Sequence, residues 1–304
     1  MIYTVTFSPA IDYVVDLEKL EIGAINRSKG EQALPGGKGI NVSIVLSNFG
    51  TDSVATGFLG GFTGEYIKSE LAAKGIKSEF VQVDGLTRIN VKLRGKEETA
   101  INGQGPHINE EQVEELIRYL ERLNKDDLLV ISGTVPSTLP NNIYERILER
   151  IHKNGARVII DSNKDILLNT LKYRPLLVKP NKEELEEMFN VSIKNRAELV
   201  QNARKLLDLG AQNVIVSLGG DGALLVNNEY EIKSGCPEGK VVNTVGAGDS
   251  LVAGFIDEYM KTGNIVMAFY KGIATGSASA CSEGLATKEE VDALIKHLED
   301  WKGE

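Results

Sequence analysis

Residues 243–250 read NTVGAGDS. Two glycines and an alanine stand just ahead of a carboxylate, Asp249. The apolar residues that follow, Leu251, Val252, Phe255, Ile256 and Tyr259, recur at helical spacing. A glycine turn that opens a helix leaves backbone amides unpaired, so those of Gly246, Ala247 and Gly248 can point at one anion. Asp249 then sits on the first turn. It suits two jobs: an acidic residue favoured by the helix dipole, or a proton acceptor beside the anion cradle. In the second job the dipole is expected to help keep it ionised.

Four other stretches have residue types suited to chemistry. LPGGKGINV (34–42) sets a tight turn of Gly36, Gly37 and Gly39 ahead of a helix from Ile40, with Lys38 and Asn41 beside it. Gln32 and Gly39 stand where a phosphate loop needs Gly and Ser or Thr, so that motif is excluded. The turn is either structural or a backbone surface for a polyhydroxy ligand. KPNKEEL (179–185) puts Asn181 and Glu184 three apart at a helix start. They read as an N-cap with an acidic first turn, or as an amide and a carboxylate that orient Mg²⁺ through water. SLGGDGALL (217–225) has glycines that turn a hairpin or admit a phosphate. In LTRINVKLRGK (86–96), Arg88, Asn90, Lys92, Arg94 and Lys96 alternate with Ile89, Val91 and Leu93, and no residue is acidic. In a strand this gives one polar face, either an edge kept soluble or a cationic surface for a phosphate.

These groups need a scaffold. Apolar β-rich runs occur at 2–7, 54–60, 127–132, 157–161, 175–179 and 213–218. Amphipathic helical stretches alternate with them at 39–49, 64–74, 109–122, 140–153, 181–188 and 195–209. Helices at 247–261, 264–281 and 287–299 close the chain. The alternation predicts an α/β fold, a mainly parallel sheet with helices on both faces. Ligands of such sheets bind beyond the C-terminal ends of the strands. Residues 12–33, apolar but without helical period, and the strand-like 77–102 break the alternation and predict a small β-sheet that projects as a flap.

A net charge of −9 over 304 residues argues against nucleic-acid binding. An anionic substrate then has to be drawn in by a local basic patch. Cys236 and Cys281 make no C-x-x-C pair, and three scattered histidines make no metal motif. Without a signal-peptide pattern or a long apolar run, a reduced cytoplasmic setting away from membranes is expected.

Taken in order, Gly36-Gly37-Lys38-Gly39-Ile40-Asn41 and Gly246-Ala247-Gly248-Asp249, with Ala253-Gly254 downstream, resemble the two motifs of the ribokinase/PfkB carbohydrate kinase family. The resemblance covers essentially the whole chain. It implies a ribokinase-like core from residues 1–11, 34–85 and 103–304 under a β-sheet lid from 12–33 and 86–102, with lids pairing two copies into a homodimer. SPAID (8–12) looks like the substrate motif of the family's sugar-phosphate kinases, and TRINVK (87–92) like the lid motif of its 1-phosphofructokinase branch. The tagatose-6-phosphate kinase branch is a close relative. The implied reaction moves the γ-phosphoryl of ATP, with Mg²⁺, to a ketohexose phosphate, fructose 1-phosphate first; a non-catalytic sugar-phosphate sensor is the rival from another class.

The resemblance also implies roles. Asp249 is the general base, and the amides of Gly246, Ala247 and Gly248 receive the phosphoryl group. Asp12, Gly37 and Asn41 hold the sugar; Arg88 with Lys92, and Lys38 or Arg27, holds its phosphate; Asn90, Asn102 and Ser132 of SGTVP (132–136) stand on the same side. Lys179, Asn181, Ser217, Gly219, Gly220 and Gly222 line the nucleotide, and Glu184 reaches Mg²⁺ through water. Two places depart from the family pattern. Ala100 replaces an acidic residue, and Asp161-Ser162-Asn163-Lys164 stands where relatives read Asp-Thr-Ser-Gly.

Overall fold

The computed structural model describes residues 1–297. The first half runs β1 (Ile2–Thr6), β2 (Ala10–Asp16), β3 (Gly30–Gly36), α1 (Lys38–Asn48), β4 (Ser53–Leu59), α2 (Gly61–Ala73), β5 (Lys77–Gln82), β6 (Arg88–Arg94), β7 (Thr99–Asn102), α3 (Glu110–Leu120) and β8 (Leu128–Ser132). The second runs α4 (Ile143–Ile151), β9 (Arg157–Asp161), α5 (Lys164–Thr170), β10 (Leu177–Val178), α6 (Lys182–Phe189), α7 (Arg196–Asp208), β11 (Val214–Ser217), β12 (Ala223–Val226), β13 (Glu231–Ser234), α8 (Ala247–Thr262), α9 (Ile265–Ala280) and α10 (Lys288–Ile295).

Nine strands form the main sheet in the order β13-β12-β11-β10-β9-β8-β1-β4-β5. Every pair from β5 to β11 is parallel; β12 and β13 add an antiparallel edge. The central strands alternate between two cores, as strands buried on both faces must. Leu129 and Ile131 of β8 face a core with Leu116, Ile147, Leu185 and Leu206 of α3, α4, α6 and α7. Leu128 and Val130 face the other, with Val42, Val252, Phe255 and Phe269 of α1, α8 and α9. Among the described residues no helix is long and apolar enough to cross a membrane.

The strand order reverses at β1, which pairs with β4 on one side and β8 on the other. A crevice opens at the C-terminal ends of strands where such a reversal occurs. A second, smaller sheet is ordered β3-β2-β6-β7. Its strands come from 10–36 and 88–102, so it reaches two residues beyond 12–33 at the start and three at the end; β5 belongs to the main sheet. Residues 12–33 are thus two antiparallel strands with an exposed loop between them. The expected alternation in β6 is present. Asp12 stands opposite Asn90, and Asn90 opposite Asn102, so these groups share a face with Lys92.

Two elements differ from the sequence reading, and a third resolves between its alternatives. The run 175–179 shrinks to Leu177–Val178 as a strand. α5 follows the unusual Asp161–Lys164 stretch and is only seven residues, too short for its periodicity to stand out. After β11 the glycines make a turn into an antiparallel partner, the hairpin alternative for 217–225. Residues 298 and 299 of the expected last helix lie outside the described residues.

Candidate active site

α1 begins at the C-terminal end of β1. Gly37 caps it at φ 123, and a side chain there would meet the Thr6 methyl at 2.5 Å. The Ile40 amide donates to Thr6 Oγ1 at 3.0 Å, which ties the helix start to the strand end. Asn41, one turn in, donates from Nδ2 to Asp249 Oδ2 at 2.8 Å. The two glycine motifs, 208 residues apart for this pair, therefore meet in one place.

Gly246 caps α8 in the left-handed region, φ 82, and a Cβ there would also meet Leu285 at 2.7 Å. Ala247 donates its amide to the Thr244 carbonyl at 3.2 Å, so one of the three expected anion donors is engaged within the turn. Asp249 is 6% exposed. Burial first, then the charge of Asp161, pushes its carboxyl up to about 7, against the opposing pull of Asn41, Lys38 and Lys179. The helix N-terminus was expected to keep it ionised; desolvation outweighs that, because the residue lies inside the molecule rather than on an exposed first turn.

Asp161 ends β9 and binds two ammoniums, Lys38 Nζ at 3.2 Å and Lys179 Nζ at 3.1 Å. Burial alone would raise its carboxyl, but Lys179 and Lys38 hold it below the usual carboxylate range. The sequence reading gave Asp161 no role. Nothing local marks it, since its partners come from α1 and from the strand end before α6.

On the small sheet, Asp12 Oδ1 accepts from Asn90 Nδ2 and Oδ2 from Lys92 Nζ, each at 2.9 Å. A side chain at Gly36 would strike Asp12 Oδ2 at 2.7 Å. Lys92 is thus paired with Asp12 before any phosphate arrives. Arg88 is half-buried, donates from Nη2 to the Ser8 carbonyl at 3.0 Å, and burial lowers its guanidinium pKa. Arg88 Nε, Asn90 Oδ1 and Ser132 Oγ are buried without a partner, which in a folded protein calls for a ligand or water. A cavity of about 570 Å³ lies under this sheet, lined by Asp12, Asn41, Lys92, Ala100, Asn243 and Leu285. Arg27 is exposed on the loop between β2 and β3, outside that lining, and Asn102 is exposed at the end of β7.

Asn181 and Glu184 form a reciprocal capping box, 2.8 and 2.7 Å, so the N-cap alternative is present in the structure. The Glu184 charge still acts on Lys38, which places it near the same centre. Ser217 bridges to Asn181 at the end of β11. Gly219 and Gly220 are open, with nothing within 4 Å of where a side chain would begin, whereas at Gly222 a Cβ would fall 1.9 Å from the Ser234 carbonyl. Gly222 is therefore required by the turn itself. Among the described residues no group of three or more His, Cys, Asp or Glu could hold a metal. Mg²⁺ keeps most of its waters and needs no such cluster; Glu184, engaged in the capping box, would reach it through water. Val245, exposed just before the turn, lines the cavity and was not anticipated there.

The pfkB family carbohydrate kinase profile matches residues 4–292. The chain is 46% identical to a 1-phosphofructokinase of Bacillus subtilis over 98% of both chains. It is 36% identical to a D-tagatose-1-phosphate kinase of Bacillus licheniformis, covering 98% of this chain and 99% of that one. Phosphofructokinase-2 from Escherichia coli, solved in complex with fructose-6-phosphate, superposes with a TM-score of 0.92 at 28% identity, covering 98% of this chain and 99% of that one. With this match along nearly its whole length, the chain belongs to the pfkB family of carbohydrate kinases.

Proposed function

We propose that the protein transfers the γ-phosphoryl of ATP to the free primary hydroxyl of fructose 1-phosphate. The observation that carries this is the Asn41–Asp249 hydrogen bond, which joins the two glycine motifs beneath the Asp12 sheet. The likeness to a 1-phosphofructokinase supports the substrate. Asp12, Gly37 and Asn41 hold the sugar, and Arg88 its phosphate. The sugar hydroxyl oxygen attacks the γ-phosphorus, the bond to the β,γ-bridging oxygen breaks, ADP leaves, and the hydroxyl proton passes to Asp249. Little covalent work falls to the protein; positioning and charge neutralisation do most of it. The open Gly219-Gly220 turn, with Ser217 and Asn181, borders the nucleotide phosphates. Mg²⁺, when bound, neutralises charge on those phosphates, and Glu184 orients its water shell.

ADP release across ketohexose phosphates tests this reading, with kcat/KM for fructose 1-phosphate expected to exceed those for tagatose 1-phosphate, tagatose 6-phosphate and fructose 6-phosphate. A tagatose phosphate ahead of fructose 1-phosphate would reassign the substrate; the similarity to a D-tagatose-1-phosphate kinase favours that as the second reading. No turnover with any of them would leave a sensor.

We further propose that the small sheet is a lid and pairs two copies. Its outer face presents Ile89 and Ile101, 38% and 59% exposed, an apolar surface that a second lid would cover. Ile101→Glu is expected to convert a dimer to a monomer on size-exclusion chromatography. A wild-type monomer, or a variant that still elutes as a dimer, would count against this interface. A cytoplasmic setting goes with the reading, and both cysteines are free.

A further inference from the structure

Asp161 is 2% exposed, yet the reaction as drawn does not use it. Burying a carboxylate with its cations is costly, and well-packed apolar residues often serve stability as well. Three elements converge to build this cluster. Asp161 ends β9, Lys38 opens α1, and Lys179 follows β10. Lys38 reaches across 123 residues of sequence to make its pair. The charges of Asp249 and Glu184 also act on Lys38. Lys179 Nζ lies 3.4 Å from where a Gly248 side chain would begin, against the glycine turn. The Lys38 side chain is 43% exposed and so open to a ligand, whereas Lys179 is 7% exposed. The turn needs such cations, since Ala247 donates its amide to Thr244.

The geometry points to a clamp: Asp161 is a positioning residue that holds the Lys38 and Lys179 ammoniums at the glycine turn, where they meet the phosphoryl group in transit. Lys38 serves that group and not the phosphate already on the sugar. The inference rests on the kinase reading above. Neither lysine makes or breaks a bond. Each stays protonated and offsets negative charge that spreads over the equatorial oxygens during transfer.

The test is steady-state kinetics on the full chain with fructose 1-phosphate, ATP and saturating Mg²⁺, alongside calorimetric binding of fructose 1-phosphate. Wild-type turnover is measured first, so a failure of the kinase reading shows there, and a failure of the clamp shows only in the variants. Lys38→Met is expected to lower kcat about 100-fold while sugar-phosphate affinity stays unchanged. Asp161→Asn should lower kcat similarly, and the double variant should be no worse than the more impaired single one, because Asp161 acts through the lysines. Lys38→Arg should recover part of the loss. A raised KM for sugar phosphate with kcat retained in Lys38→Met would return Lys38 to the sugar side. Recovery of Asp161→Asn by excess Mg²⁺ would assign the carboxylate to the metal instead. Should the Asn variant fail to fold, the two Lys38 variants decide the matter alone.

Discussion

Asp249→Asn should lower kcat by about 10³-fold and leave the affinity for sugar phosphate nearly unchanged. A general base acts on the transition state, and the amide can still accept the hydrogen bond that Asn41 donates at 2.8 Å. Steady-state kinetics with direct binding of the sugar phosphate separates the two effects. Near-normal turnover in the variant would remove Asp249 from the proton transfer.

The same residue predicts the pH dependence. Its carboxyl is pushed up to about 7 by burial and by Asp161. Only the ionised form accepts a proton, so kcat/KM should fall as pH drops through about 7 in the free enzyme. The stability consequence has the opposite sense. The folded pKa lies above the unfolded value of 3.8, so the fold retains a proton that the unfolded chain has released. Stability from this site is complete below about pH 4 and declines as pH rises toward 7. Asp249→Asn should therefore melt a few degrees higher than wild type at pH 8. A lower Tm at that pH would contradict the buried, destabilised carboxylate.

Arg88→Ala should raise KM for the sugar phosphate by roughly 10- to 100-fold, with a much smaller change in kcat and in KM for ATP. A guanidinium lost from a phosphate removes charge-assisted bonds worth about 1.5–3 kcal/mol. Arg88 is suited to this because Nη2 is fixed on the Ser8 carbonyl at 3.0 Å while Nε is buried without a partner. Lys92, further along the strand, is already taken by Asp12, whose Oδ2 it holds at 2.9 Å. Arg88→Lys should fall between, keeping the charge but not the fork. An equal rise in KM for ATP would show a general disturbance of the site. Lys92→Ala should act differently, freeing Asp12 and impairing sugar orientation.

Most of the scaffold was legible in the sequence because periodicity is a local property. Apolar runs bounded by glycine and polar residues marked β1, β4, β8 and β9, and the alternation of Arg88, Asn90 and Lys92 with Ile89, Val91 and Leu93 marked β6. The glycines at 36, 37, 246 and 248 carried the family; Gly37 and Gly246 take positive φ, which few other residues adopt, and a side chain at Gly36 would strike Asp12. Shorter elements escaped. α5 and the β12–β13 edge are too brief for a period to register, and β2 takes β6, far along the chain, as its second partner, which no local pattern marks.

Local sequence thus sets the order of elements, the two helix-opening turns and the polar face of β6. Which charges meet is settled by tertiary structure. Asn41 reaches Asp249, Lys38 and Lys179 share Asp161, and Lys92 is taken by Asp12. Tertiary burial also holds Asp249 near neutrality rather than fully ionised. The reason is physical. Backbone pattern depends on neighbours a few residues away, whereas an ion pair or a shifted pKa depends on distance and desolvation. Those were set only when the sheet brought the ends of β1, β8, β9 and β10 together.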